Sequence, residues 1–209
     1  MLIEFRPKSK TLIEIFVDEE LWNTVHTSLF GNKLPLLEKC STLEELQTLF
    51  ATLEKKAAKD NTLYHLGRQS LSEGQVRQKL VRRQVSAAAI EEVILDCRRL
   101  GYLNDLQWAQ GVVRKEKRIS GPYLIAQKLK FKGASEPLIK KVLEETQAVS
   151  SQEEDIRHLI EGRYRSKDLT NLREKQKVMA SLQRRGFSFE SICRALKHVH
   201  DDHAHDSIQ

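Results

Sequence analysis

The chain has 209 residues, 31% of them charged and 40% hydrophobic, with only 4 Pro and 9 Gly, a charge density high for one compact globule and suited to a row of small helical modules. Its net charge of +6 points toward an acidic or polyanionic partner. No run of apolar residues is long enough for a membrane span, MLIEFRPKSK lacks the apolar core of a signal peptide, and 3 widely spaced Cys without a CxxC pair read as reduced thiols in a cytoplasmic protein.

The first segment, LIEFRPKSKTLIEIFVDEELW, alternates and is rich in Ile, Phe and Val. It predicts strands at Leu2–Phe5 and Leu12–Val17 joined by a polar turn at Pro7–Lys10, with Asp18-Glu19-Glu20 ending the hairpin. A lone hairpin is marginal in water. EELWNTVHTSLF is predicted as a short helix that covers it, followed by a turn at Gly31-Asn32-Lys33. Ser41-Thr42 with Glu44 and Glu45 marks the start of a helix that continues through LQTLFATLEKKAAK. Residues 1–56 are thus assigned as a small α+β region.

From residue 57 the pattern is helix, short turn, helix. One sentence is written three times, aligned on Leu80, Leu129 and Leu182. Four residues later come Gln84, Gly133 and Gly186, where a helix ends and a positive φ is wanted; Gln84 departs from the pattern and predicts a less ideal turn. Ser86, Ser135 and Ser188 follow as N-caps. Ile90, Ile139 and Ile192, with Val93, Val142 and Ala195 and then Ile94, Leu143 and Leu196, form one buried stripe on the next helix. A third helix precedes each pair, around Ala57–Arg68, Asp105–Lys117 and Glu153–Tyr164. The predicted fold class is therefore mainly all-α: three tandem three-helix repeats in an elongated curved array behind a small N-terminal β-hairpin/helix region. Its domains are 1–56, 57–103, 104–147 and 148–199, with a disordered His/Asp tail at 200–209. Small repeats of this size bury enough apolar surface only by packing on neighbours.

The charge is uneven. Residues 1–60 hold 8 Lys/Arg against 10 Asp/Glu, whereas 61–199 hold 27 against 16. A cation recurs three places after each aligned Leu, at Arg83, Lys132 and Arg185, preceded by Arg82, Phe131 and Arg184. Two readings apply: favourable charge at a helix C-terminus, or a periodic row facing a polyanion. Further clusters are RKEKR with Arg114 and Lys115, KLKFK with Lys128, Lys130 and Lys132, and RYRSK with Arg163 and Arg165. A cation cluster with an aromatic inside suits phosphate plus stacking contacts, although Phe131 and Tyr164 also read as core or cover. These eleven cations are the candidate binding residues. The backbone amides at Gly121-Pro122, before a helix, are a further anion-binding option common to every helix start. Trp22 and Trp108 read as packing residues. His198, His200, His203 and His205 beside Asp201 and Asp202 are metal-capable types, but a polar terminal segment reads more simply as a tail, and no metal or other cofactor is predicted. GxSxG, HExxH, P-loop and dinucleotide-binding patterns are absent, so no catalytic residues are assigned and the chain does not read as an enzyme.

The stretch from Ser72 to Glu145 resembles the RecX family, bacterial regulators of the RecA recombinase. Ser72, Val76, Leu80, Ile90, Val93, Gly101-Tyr102-Leu103-Asn104-Asp105, Gly121-Pro122, Ile125, Leu129, Lys132-Gly133 and Ile139 carry the likeness. It is good over 57–147 and looser over 148–199. Leu106-Gln107-Trp108-Ala109 departs from the family's acidic-Arg-Phe-Ala pattern, which puts a local ion pair in doubt while Trp108 keeps the packing role; Gln84 stands where Gly is usual. The resemblance implies a modular, curved helical protein that binds along the groove of the RecA–single-stranded DNA filament; the chain itself is expected to be monomeric. It implies inhibition of RecA's ATPase, strand-exchange and coprotease activities, in DNA repair and the SOS response, and some direct affinity for single-stranded DNA. A stand-alone DNA-binding regulator, with each Ser-capped helix as a recognition helix, and a helical scaffold for an acidic protein are the rival readings.

Overall fold

The computed structural model describes the backbone of residues 1–149 and 151–205 and the side chains of residues 1–147 and 151–197. It falls into two compact units, Met1–Asp105 and Leu106–Gln209. Among the described residues no helix is long and apolar enough to cross a membrane.

The first unit opens with an antiparallel meander of three strands, β1 (Ile3–Pro7), β2 (Leu12–Val17) and β3 (Glu20–His26), in that order. The segment predicted as a short covering helix is therefore mostly a strand; only α1 (Thr27–Phe30) is helical, followed by a 3₁₀ segment, Gly31–Lys39, where a simple turn was expected. The physical reason lies at Asp18 and Glu19. Both take positive φ, 48° and 71°, so they form a two-residue turn whose twist matches the strands it joins. The chain doubles back after Val17, which pairs with Glu20, and a bulge at Ile15/Phe16 absorbs the extra residue Trp22.

The sheet is covered by α2, Leu43–Leu66. Its start is the predicted one: Thr42 caps the Glu45 amide at 3.2 Å and Glu45 accepts from the Ser41 amide at 2.9 Å. Phe50 of α2 takes Phe30 in a parallel stack and Trp22 edge-on, both with ring centroids 5.1 Å apart. Helix α2 runs without a break through residues 56 and 57, across the assigned boundary. Its N-terminal half buries Leu46 and Phe50 against the sheet and its C-terminal half packs with α3 (Glu73–Val81) and α4 (Ala87–Arg99). One apolar core, from Ile15 and Val25 through Ala58 to Leu80 and Ile90, serves both.

The second unit contains α5 (Asp105–Glu116, beginning at the junction), α6 (Pro122–Phe131), α7 (Glu136–Val149), α8 (Gln152–Arg163), α9 (Leu172–Arg184) and α10 (Phe189–His205). Two separate cores form here. Trp108, Ile125, Leu129, Ile139 and Val142 make one; Ile156, Leu182, Ile192 and Ala195 make the other. All three aligned leucines are at most 1% exposed. The tail assigned at 200–209 lies outside the described side chains, and residues 206–209 lie outside the described residues altogether.

The three repeat turns adopt the left-handed backbone: φ is 58° at Gln84, 87° at Gly133 and 86° at Gly186. A side chain at such a φ costs roughly 1 kcal/mol, so the irregularity expected at Gln84 is an energetic one within an otherwise equivalent turn. Gln84 is exposed, and Gln84→Gly is expected to stabilise the first unit by about 1 kcal/mol. A thermal melt resolving a rise of a few degrees checks this; an unchanged or lower midpoint contradicts it.

Candidate functional site

The basic residues are set by the ends of the middle helices α3, α6 and α9. Each ends with its cation one place before a left-handed turn, and the next helix starts at a Ser. Ser86 caps the Ala89 amide and Ser188 the Ser191 amide. Ser135 accepts the Ile139 amide through its carbonyl.

The row Arg83, Lys132 and Arg185 is not an outward edge. All three side chains are half-buried. Arg83 folds back on its own helix: it donates to the Lys79 carbonyl at 3.1 Å and stands 3.4 Å from Nε2 of His65, and its Nε is buried without a hydrogen-bond partner. Burial, with the cations Lys79, Arg83 and Arg68 around it, holds the His65 imidazole below its usual pKa; burial and then Arg83 do the same to His26. Arg185 donates to the Ile119 carbonyl at 2.7 Å. Reversing its charge would break a contact of the fold as well as any contact with a partner.

The recurrent outward position is one residue earlier. Arg82, Phe131 and Arg184 are all exposed, Phe131 at 88%. Phe131 thus departs from the core-or-cover reading, whereas Tyr164 follows it, buried with its hydroxyl 2.7 Å from Ser181 Oγ. Arg114, Lys115, Arg163 and Arg165 are exposed, and with Arg82 and Arg184 they carry no ion pair among the described residues. Arg114 also lines an open cleft of about 370 Å³ with Gln110, Val113, Lys117, Glu145 and Thr146. Lys128 is tied to Glu116 at 2.6 Å and faces Ser120 Oγ at 3.4 Å. Lys130 is exposed and pairs with exposed Glu136 at 2.6 Å.

The amides before α6 are not open to an anion. Gly121 N–H donates to the Arg185 carbonyl at 2.7 Å and Tyr123 N–H to the Gly186 carbonyl at 3.3 Å. The electropositive start of α6 is filled by carbonyls from the electronegative end of α9, a favourable dipole contact. Both glycines are required for this approach. A Cβ on Gly121 would overlap the Gly186 carbonyl, and one on Gly186 would overlap the Leu124 backbone. This joint between the second and third repeats was not visible in the sequence, where Gly121-Pro122 reads as an ordinary helix start.

Three-helix units built on this plan also occur in known proteins. A family model described as the first three-helix domain of RecX matches residues 58–97, and one for the third three-helix domain matches 151–196. The regulatory protein RecX of Caldanaerobacter subterraneus subsp. tengcongensis is 30% identical over 88% of this chain and 91% of its own length. The chain belongs to the RecX family. The RecX of Pelodictyon phaeoclathratiforme is 33% identical over 63% of this chain and 82% of its own. That of Bacillus subtilis is 28% identical over 98% and 78%. A crystal structure of a regulatory protein RecX shares the fold, with a TM-score of 0.61 at 23% identity over 94% of this chain and 100% of that one. The mainly helical fold with tandem three-helix domains, and a regulatory role, are thus those of RecX proteins.

Asp105 has a clear local task. Its carboxylate accepts the Glu73 amide at 2.8 Å at the start of α3, and burial raises its pKa. Glu73 in turn holds Arg98 through two hydrogen bonds of 2.8 and 2.6 Å.

Proposed function

We propose that the protein binds the RecA–single-stranded DNA filament and inhibits RecA's ATPase, strand-exchange and coprotease activities, acting as a cytoplasmic monomer. Family membership and the recurrence of one exposed position per three-helix domain support this reading. Arg82 and Arg184 occupy it in the first and third domains, and Arg114, Lys115, Arg163 and Arg165 add exposed positive charge. A repeated basic surface suits a partner that itself repeats. Among the described residues these six exposed cations make no ion pair, and because Arg114, Lys115, Arg163 and Arg184 stand in the last turns of helices, neutral replacements spare the fold better than acidic ones.

The test is ATP hydrolysis by RecA on single-stranded DNA with the purified protein titrated in. Hydrolysis falls with wild-type protein. The variant carrying Gln at Arg82, Arg114, Lys115, Arg163, Arg165 and Arg184 requires about tenfold more protein or more for the same effect while circular dichroism shows it folded. No inhibition by wild type at any ratio removes the proposal.

A further inference from the structure

On α6 the exposed residues Tyr123, Gln127, Lys130 and Phe131 fall within one arc of about 100° of the helix, opposite buried Ile125 and Leu129. Tyr123 is 68% exposed and Phe131 88%. They lie about 12 Å apart along the helix axis. Two large aromatic rings left in water on one helix face do nothing for the core, which is complete without them. They do not form a continuous apolar groove either, since Gln127 and Lys130 stand between them. An isolated aromatic face beside a cation matches the surface that takes a nucleobase by stacking and its phosphate by charge.

The other two domains provide an internal comparison. At the position of Tyr123 they carry Gly74 and Gln176, and at that of Phe131 they carry Arg82 and Arg184. The fold therefore does not require aromatics there. What is common to Arg82, Phe131 and Arg184 is exposure together with a flat face, for an Arg guanidinium stacks on a base as a ring does. Among the described residues Lys130 pairs with Glu136 alone, both side chains about 70% exposed; such a pair is weak and a phosphate can displace the carboxylate. The charge balance of residues 61–199, 27 Lys/Arg against 16 Asp/Glu, favours a polyanion as occupant over an apolar protein surface.

We infer that the Tyr123–Phe131 face of α6 is a base-stacking platform that captures single-stranded DNA directly, with Lys130 on the phosphate backbone and Arg82 and Arg184 as the equivalent stacking positions of the first and third domains. Direct capture deepens the filament reading, on which the choice of a single strand over a duplex rests.

The experiment uses the full chain and a fluorescein-labelled thymidine oligonucleotide of about 30 nucleotides, room for several sites, without RecA. Anisotropy gives the affinity over a series of salt concentrations. Phe131→Ala weakens binding about tenfold and Tyr123→Ala/Phe131→Ala about 100-fold. The salt dependence stays as in wild type because no phosphate contact is lost, and Phe131→Trp restores affinity. Lys130→Gln weakens binding and makes the slope of log affinity against log salt shallower by about 0.7. Both rings are exposed, so folding is expected to be unaffected, and circular dichroism verifies it. Absence of binding by wild type, or wild-type affinity in the double alanine variant, overturns the inference. So does a double variant that binds the oligonucleotide normally but no longer inhibits RecA, since the face then touches protein. Loss of oligonucleotide binding in the double variant, when wild type leaves RecA hydrolysis unchanged, supports the platform and removes only the filament reading.

Discussion

Gly121→Ala is expected to destabilise the second unit by about 3 kcal/mol. The added methyl overlaps the Gly186 carbonyl, and overpacking against backbone costs about 1–3 kcal/mol because neither chain can rotate away. Relief by separation sacrifices the hydrogen bonds from Gly121 N–H to Arg185 O and from Tyr123 N–H to Gly186 O, at about 1 kcal/mol each. Trp108 is the tryptophan of this unit and Trp22 that of the first. Denaturant unfolding of the full chain in a Trp22→Phe background therefore reports this loss by fluorescence. A midpoint within error of the background protein would show that the joint carries no stability. Gly186→Ala is expected to cost at least as much, since the new side chain meets the Leu124 backbone and also sits at a φ of 86°.

Glu54→Ala is expected to destabilise the first unit by about 2–3 kcal/mol. Glu54 is a charged residue of α2 that is only 4% exposed. Its carboxylate accepts the Ser86 amide at 2.8 Å and the Ser86 hydroxyl at 2.5 Å. It therefore seats the N-cap of α4 on α2 and places a negative charge at the electropositive start of that helix. Each hydrogen bond to a charged group is worth about 1.5–3 kcal/mol, and truncation leaves the Ser86 amide without its acceptor. With Trp108→Phe as background, Trp22 reports the unfolding. A double-mutant cycle with Ser86→Ala isolates the hydroxyl–carboxylate contact; additive losses in that cycle would place the cost in the amide contact and packing.

Glu54 also shows where sequence reasoning stops. In TLEKKAAKD it stands among lysines on a helix and reads as a surface residue. Its burial depends on Ser86, 32 residues further on, and no local pattern contains that partner. The third strand is similar. Leu21, Val25 and Leu29 are spaced four apart, a helical period, and Asp18-Glu19 lacks the Gly or Asn that usually announces a tight hairpin turn. Pairing with β2 and burial of Val25 in the shared core override the local preference. By contrast, the start of α2 at Thr42, the caps at Ser86 and Ser188 and the apolar stripes were legible, because each is a contact within one or two helical turns.

The surface divides in the same way. Which positions recur could be read by aligning three stretches of the chain. Which of two adjacent recurring positions points outward could not, since Arg82 and Arg83 are neighbours on a helix end and differ only in what lies next to them. The sequence by itself determined the mainly helical class, the three-fold repeat and the basic balance, which follow from periodicity and composition, and it carried the family as a resemblance in its motif residues. Only the tertiary structure decided that Arg83 and Arg185 turn inward, that Phe131 stands in water and that Gly121 meets Gly186. Those outcomes depend on carbonyls and rings brought together from as much as 66 residues away, a separation across which side-chain spacing carries no information.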